Sequence, residues 1–167
     1  MNGAEKIIAG ITGFAMACLA AHAQIVSPNA FHRTSPSEAV AFLAPEQVAI
    51  PAGKPSRVAL HFRIAPGLHI NSHTPSGESL IATVFSIPAG GGVRLDAADY
   101  PAGTDITLAL DPKTKLSVYT GDFTIDARLI AARGHHTVDA KLRYQACDRN
   151  ECMPPKTITV PIDVTAN

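Results

Sequence analysis

The sequence predicts an all-β protein with the architecture of an immunoglobulin-like antiparallel β-sandwich. Three observations predict this class: period-two alternation of apolar and polar residues in successive segments, glycine- and proline-rich turn signals between them, and no helical pattern after the first 23 residues. Strict alternation buries one face of a strand and leaves the other in water, which is typical of antiparallel sheets. About seven to nine short strands in roughly 120 residues are expected for such a sandwich.

Residues 1–23 have the features of a secretory signal peptide. A weakly positive start at Lys6 precedes an apolar run of about 14 residues, and Ala21-His22-Ala23 has the small-x-small form of a cleavage site. The run is shorter than the ~20 residues that span a bilayer. A lipoprotein signal ending at Cys18 is the alternative, but Ala15-Met16-Ala17 before it matches that motif poorly. We therefore expect cleavage after Ala23 and export to the periplasm.

Residues 24–45 are expected to form a flexible lead-in, because this stretch contains three prolines and shows little periodicity. The folded domain is expected to span residues 46–167. Its clearest strand predictions are the four alternating runs 57–64, 123–129, 138–144 and 157–164. Turn signals stand between the predicted strands at Pro51-Ala52-Gly53, Gly90-Gly91-Gly92, Pro101-Ala102-Gly103, Asp111-Pro112 and Gly134.

The composition limits the classes of function. Lys plus Arg and Asp plus Glu are both 14, so the chain lacks the basic excess of a nucleic-acid-binding protein. Hydrophobic residues are 46% and charged residues 17%, which indicates a globular domain. His69 and His73 have a His-x-x-x-His spacing, but Pro75 and the strand context do not fit a helical zinc motif. We expect no nucleic-acid partner, no metal site and no cofactor.

Two cysteines, Cys147 and Cys152, remain once Cys18 leaves with the signal peptide. Four polar residues separate them, between the predicted strands 138–146 and 157–164, so the simplest geometry is a hairpin with the cysteines opposed at its tip. Opposed Cα atoms in an antiparallel pair lie ~4.5–5.5 Å apart, and a disulfide needs ~4.4–6.8 Å. The spacing therefore permits a disulfide.

The spacing alone leaves two uses of the pair open. A ring of about six residues stabilises a fold by only ~2 kcal/mol in the chain-entropy model, and a domain of this size should not need such a staple. An exposed tip is also accessible to a thiol of another protein. A redox-active pair and a structural staple remain equally supported by these residues.

The sequence around the pair resembles the amino-terminal periplasmic domain of the thiol:disulfide interchange protein DsbD. The resemblance rests on Tyr144-Gln145-Ala146-Cys147 and on Cys152-Met153-Pro154-Pro155. It extends from about Ala44 to Val164. Further matching stretches are Gly67–Ser72 with Leu80–Thr83, and Val118–Gly121 with the strand that follows. The fold implied by the family is the immunoglobulin-like sandwich that the alternation predicts independently.

The resemblance implies an electron shuttle. Members of this family exchange electrons with thioredoxin-like periplasmic proteins, including those of disulfide isomerisation and cytochrome c biogenesis. By the family pattern, Cys152 forms the mixed disulfide with a partner and Cys147 resolves it, by thiolate attack on a disulfide sulfur. The sequence leaves undecided whether the chain is itself an enzyme, as a component of a protein-disulfide reductase.

The resemblance also implies residues around the active pair. Tyr119 takes the place of an aromatic cap that shields the cysteines, and His69 and Asn71 lie on a strand beside them, where aromatic residues are common in the family. Tyr144 and Pro154 flank the pair in the matching motif.

Two features depart from the family pattern. The gap of four residues between the cysteines is one shorter than in its best-known members. We expect no membrane domain and no thioredoxin-like domain after Asn167, and therefore a separate membrane electron-transfer protein as the electron source. Two alternatives remain: a copper(I)-binding module that uses Cys147, Cys152 and Met153 as soft ligands, and a non-catalytic interaction module with a structural disulfide.

Overall fold

The computed structural model describes residues 38–43, 47–77, 79–108 and 111–167. Within these ranges the chain forms twelve strands and no helix, which confirms the all-β class. The strands are β1 (Val40–Leu43), β2 (Val48–Ile50), β3 (Ser56–Ile64), β4 (His69–Asn71), β5 (Val84–Ser86), β6 (Val93–Asp99), β7 (Thr104–Leu108), β8 (Asp111–Tyr119), β9 (Asp122–Ala131), β10 (Gly134–Tyr144), β11 (Ala146–Cys147) and β12 (Lys156–Ala166). The predicted signal peptide, Cys18 and most of the predicted lead-in lie outside the described residues.

The strands form three four-stranded sheets. The first has the order β1-β3-β9-β6, the second β2-β12-β10-β5, and the third β11-β4-β8-β7. The first two sheets contain the four strands with the strongest alternation, β3, β9, β10 and β12, and the third contains Cys147 on β11. No helix in the described part of the chain is long and apolar enough to cross a membrane.

The first two sheets pack as a sandwich because their inward faces are apolar. Buried and exposed residues alternate along β3, β9, β10 and β12, which match the four predicted alternating runs. One core cluster contains inward residues of both sheets, among them Leu60 and Ile125 of the first and Leu142 and Ile162 of the second. The predicted β-sandwich is therefore confirmed.

Two strands differ from the sequence-based expectation. β1 lies inside the stretch 24–45 that was predicted to be a flexible lead-in, and it pairs antiparallel with β3 from Val40 opposite Ile64 onward. Its residue Val40 is fully buried in the core, which explains why this short apolar patch is ordered. β2 pairs with β12 in parallel, so the second sheet is mixed and not wholly antiparallel.

The connection between β10 and β12 positions the cysteines. The ladder between these strands ends at Tyr144 opposite Lys156. After Gln145 the chain leaves the second sheet, and β11 pairs with β4 of the third sheet instead. The predicted simple hairpin is thus corrected: the cysteines lie in a longer excursion that joins two sheets, and only a local bridge pairs them with each other.

Candidate functional site

Cys147 and Cys152 form a disulfide. Their sulfur atoms are 2.02 Å apart and their Cα atoms 3.9 Å apart, and the two residues form an isolated antiparallel bridge. Their Cα atoms are closer than the ~4.5–5.5 Å expected for an ordinary opposed pair. The bond that the sequence spacing permits is therefore present, and it closes a tight turn.

The turn between the cysteines is held by Asp148. Its Oδ1 accepts hydrogen bonds from the backbone N–H of Asn150 at 2.7 Å and of Glu151 at 2.9 Å, and its own N–H donates to the carbonyl of Glu151 at 2.9 Å. These backbone donors hold the pKa of the Asp148 carboxyl below its ordinary value. An aspartate at the start of a turn commonly stabilises it in this way.

The two sulfur-bearing residues differ in exposure. Cys147 is 2% exposed, whereas Cys152 is exposed to solvent. Cys147 is fixed on β11 against β4, while Cys152 follows the exposed turn. A thiolate from another molecule can therefore reach Cys152 far more easily than Cys147.

His69 lies directly across from Cys147. The two are register partners on β4 and β11, so their side chains share one face of the third sheet. His69 is 7% exposed, and its Nε2 is buried without a hydrogen-bond partner among the described residues. Burial lowers the pKa of His69 below its ordinary value, although the nearby Asp148 carboxylate acts in the opposite direction. His69, which the family resemblance implies to be near the pair, thus lies beside Cys147, the buried cysteine.

Asn71 holds the site together through Gln145. Its Nδ2 donates to Gln145 Oε1 and to the Ile81 carbonyl, both at 3.1 Å. Gln145 Nε2 in turn donates to the carbonyl of Met153 at 3.2 Å, next to Cys152. Gln145 therefore links β4 to both ends of the cysteine turn. Sequence reasoning quoted it as part of the motif but assigned it no role.

Tyr119 lies on the opposite face of the third sheet from the cysteine pair. It opposes Ile70, whereas the adjacent residue His69 opposes Cys147, so the alternation of side chains points Tyr119 away from the disulfide. Tyr119 is 4% exposed and stacks on Phe123 in the core, with ring centroids 5.1 Å apart. The structure therefore does not place the expected aromatic cap over the pair at this residue.

Aliphatic side chains of β8 lie on the same sheet face as Cys147. Val118 opposes Asn71, which shares a face with His69 and Cys147, and Leu116 follows the same alternation. Both are buried, yet neither belongs to the main core cluster. Buried Cys147 thus shares its sheet face with a small apolar group that the sequence does not reveal, because the pairing of β4 with β8 joins segments that are distant in the chain.

Tyr144 and Pro154, the remaining predicted site residues, line a small pocket. Tyr144 is fully buried, and burial raises its pKa above the ordinary value. Tyr144, Met153 and Pro154 line a cavity of about 110 Å³. Met153 packs against the main core cluster, to which Cys147 does not belong. No arrangement in the described residues favours the copper(I) alternative over the disulfide.

A family model identifies the chain. The model of the N-terminal domain of the thiol:disulfide interchange protein DsbD matches residues 39–163. The chain belongs to this family. The family fold is the immunoglobulin-like β-sandwich, in agreement with the observed sheets. Membership and the disulfide together support thiol–disulfide exchange as the general chemistry of Cys147 and Cys152.

Two solved structures are similar to the chain. The DsbD N-terminal domain of Neisseria meningitidis in the reduced form shares 19% identity with a TM-score of 0.45, covering 70% of this chain and 82% of that one. The CssB subunit of the Escherichia coli colonization factor CS6, complemented with a donor strand from CssA, shares 14% identity with a TM-score of 0.41, covering 77% and 97%. No curated protein matches the chain.

Proposed function

We propose that the chain is a periplasmic electron shuttle that exchanges a dithiol for a disulfide with thioredoxin-like proteins through Cys147 and Cys152. The observation that carries this proposal is the difference in exposure within one disulfide: Cys152 is exposed and Cys147 is buried. A disulfide with one accessible sulfur can be opened by an incoming thiolate at a defined atom. Family membership supports the same chemistry.

The exchange proceeds in two balanced steps. In the reduced chain, the Cys152 thiolate attacks a sulfur of the partner disulfide, which forms a mixed disulfide and releases one partner thiolate. The Cys147 thiol then loses its proton and attacks Sγ of Cys152. The internal disulfide forms, the second partner thiolate leaves, and two electrons have moved from this chain to the partner. The reverse sequence reduces the chain.

Burial of Cys147 gives the mixed disulfide a single productive outcome. Since Cys147 is 2% exposed, the disulfide of a second partner molecule has little access to it. It remains beside Cys152 because β11 is paired with β4 and because the Met153 N–H donates to the Ala146 carbonyl at 2.8 Å. A nucleophile held next to its target reacts faster than one that must be brought there by diffusion. Resolution within the chain is therefore favoured.

A purely structural role fits the site less well. The ring closed by the disulfide has a sequence separation of 5, and such a small ring stabilises a fold by only about 2 kcal/mol. The core of the sandwich is built from both large sheets and does not include either cysteine. The fold therefore does not depend on this bond for its main packing.

The family resemblance supports specific classes of electron donor and acceptor for this chain. The acceptors we propose are periplasmic thioredoxin-like proteins, including those of cytochrome c biogenesis, and the proposed source of electrons is a membrane electron-transfer protein. The signal-peptide features of residues 1–23 support export to the same compartment.

Trapping of a mixed disulfide tests the proposal. The partner is a purified thioredoxin-fold protein with only its exposed active-site cysteine, loaded with a chromophoric aromatic thiol as a mixed disulfide. Reduced Cys147→Ser protein should release the chromophore and remain covalently attached to the partner through Cys152. Reduced wild-type protein should form the same adduct and then resolve it by attack of Cys147.

The matched control is Cys152→Ser, which keeps the buried cysteine of the pair; both variants also carry Cys18→Ser. We expect it to form adduct at least roughly tenfold more slowly than Cys147→Ser, because a buried, apolar thiol reacts poorly. Equal trapping by the two variants, or no adduct with either, would contradict the proposal. Intact-mass measurement of each product distinguishes these outcomes.

A further inference from the structure

We infer that His69 is the general base that removes the proton from Cys147 when this residue resolves the mixed disulfide. This inference rests on the proposed exchange function and assigns a role to one residue of the same site. It is carried by three features of the geometry: the cross-strand position of His69, the burial of Cys147, and the buried ring nitrogen without a partner.

The resolving cysteine needs a base. The thiolate is the attacking species, and a cysteine in apolar surroundings holds its proton more firmly than a free one. Cys147 is 2% exposed and shares its sheet face with Val118 and Leu116. Water has little access to this sulfur in the folded chain. A group inside the site must therefore accept the proton.

His69 is placed to accept that proton. Side chains of directly opposed residues in an antiparallel pair have Cβ atoms about 4.5–5.5 Å apart, and His69 and Cys147 are such a pair. Nε2 of His69 is buried and has no hydrogen-bond partner among the described residues. Buried polar atoms in proteins are normally paired, so an unpaired ring nitrogen beside a redox pair needs an explanation. The explanation is that the partner of this nitrogen is the Cys147 thiol, which exists only in the reduced chain.

The charged groups around His69 are few. Asp148 lies at the start of the cysteine turn and favours the protonated ring, while burial favours the neutral ring and outweighs it. Arg149 and His69 both line a cavity of about 550 Å³. Arg63 and Asp122 line the same cavity but are paired with each other, with Nε and Oδ1 2.7 Å apart. The ring is therefore neutral, and able to accept a proton, at neutral pH.

The proton balance of the step is closed. His69 Nε2 takes the proton from Cys147 as the sulfur attacks Sγ of Cys152. The bond between Cys152 and the partner breaks, and the partner leaves as a thiolate. The imidazolium then gives its proton to that thiolate or to water, and the chain returns to neutral His69 with an intact disulfide. No further oxidant or reductant is needed.

Two-step release of a chromophore tests this role. Reduced full-length protein with Cys18→Ser, which leaves Cys147 and Cys152 as its thiols, is mixed with one molar equivalent of an aromatic disulfide such as dithiobis(nitrobenzoic acid). Attack by Cys152 then releases one chromophoric thiolate, and resolution by Cys147 releases the second. In His69→Phe, which keeps a planar ring, and in His69→Gln, the second release should be roughly 100-fold slower at pH 7. The first release should change little. His61→Gln, an exposed histidine that contacts Thr124, is the matched control and should leave both releases unchanged.

The pH profile separates a base from a packing residue. In the wild type the second release should hold its rate as pH falls toward about 6.5, because the lowered pKa of His69 keeps the ring neutral there. In the variants it should fall about tenfold per pH unit across this range, because only the thiolate of Cys147 attacks and the thiolate fraction falls tenfold per unit below the thiol pKa. A wild-type profile that already falls in this way, or variants with the wild-type rate and profile, would overturn the inference.

The same experiment separates this inference from the function on which it rests. If reduced wild-type protein releases only one chromophore, or none, the exchange function fails and the inference fails with it. If, with one molar equivalent of reagent, the protein with both cysteines releases two chromophores and carries none by intact mass, while Cys147→Ser releases one and keeps the other, exchange is established and the outcome for His69 stands alone.

Discussion

The first two sheets, called here the large sheets because they form the sandwich, bury different kinds of residue from the third sheet. In the large sheets, long strands alternate buried apolar and exposed polar residues, as in β3 and β12. In the third sheet, all three residues of β4 are buried, and two of them are polar: His69 and Asn71. The buried polar residues of the described chain lie on or near this strand and comprise His69, Asn71, Ser72 and Thr83.

The difference indicates which part of the molecule stabilises the fold and which part performs chemistry. Burying a polar group is costly unless it is paired, so a core normally avoids it. Apart from His69, whose Nε2 has no partner among the described residues, the buried polar residues in and beside the third sheet form a network. Thr83 Oγ1 donates to the Asn71 carbonyl at 2.6 Å, and Asn71 Nδ2 donates to Gln145 Oε1 at 3.1 Å. This network fixes the cysteine turn, whereas the large sheets supply the hydrophobic stabilisation.

The largest expected effect comes from the core of the large sheets. Leu60→Ala should lower the free energy of unfolding by about 2–5 kcal/mol, because Leu60 is fully buried between the sheets and its loss leaves a cavity. Exchange by the folded protein should be unchanged, since Leu60 lies outside the third sheet. Urea unfolding and chromophore release measure the two properties separately. A loss of exchange in Leu60→Ala protein that is still folded would contradict the proposal that the large sheets stabilise the fold while the third sheet holds the exchange site.

A smaller effect on stability, with an added effect on exchange, is expected in the third sheet. Asn71→Ala should cost about 1–3 kcal/mol, because it removes the donor that reaches the Ile81 carbonyl and Gln145 Oε1. It should also slow resolution by Cys147, since Gln145 then holds the carbonyl of Met153 less firmly. Urea unfolding and the second release of chromophore are the readouts. Unchanged resolution in a destabilised Asn71→Ala protein would show that the network is only structural.

Reduction of the disulfide should change stability by a still smaller amount. The Cys147–Cys152 ring is small, so opening it should lower the free energy of unfolding by about 2 kcal/mol at most. Oxidised and reduced protein are compared by urea unfolding at one pH, with Cys147→Ser/Cys152→Ser as the control that cannot form the bond. Complete unfolding on reduction would instead assign the pair to the structural framework.

The smallest effect concerns pH. Since burial lowers the pKa of His69 in the folded chain, the unfolded chain binds more protons between that value and about 6.5. Stability therefore falls as pH is lowered through this window. His69→Phe should lose less stability than the wild type between pH 7.5 and pH 5, as measured by urea midpoints. Equal losses in the two proteins would mean that His69 titrates as a solvated histidine.

The same contrast explains how far the sequence predicts the structure. The alternation of β3, β9, β10 and β12 predicts the sandwich because each of these strands has one apolar face. β4 has no such signal, since its polar residues are buried by contacts with β8 and β11 that are distant in the sequence. These contacts decide the surroundings of Cys147, so local patterns could not predict them.

Two further differences have the same cause. β1 follows prolines and is only four residues long, so only its pairing with β3 identifies it as a strand. Tyr119 matches a family motif in sequence, but the register of β4 and β8 turns its side chain into the core. The cysteine pair itself could be predicted, because its spacing and flanking motif are local.

The reduction potential of the Cys147–Cys152 pair tests the central claim most directly. Protein is equilibrated with redox buffers of defined potential, and the oxidised fraction is counted by alkylation of free thiols. A disulfide that works in exchange should have a midpoint well above about −300 mV, the upper limit typical of structural disulfides. A midpoint below that value would contradict the account and identify the pair as a structural bond.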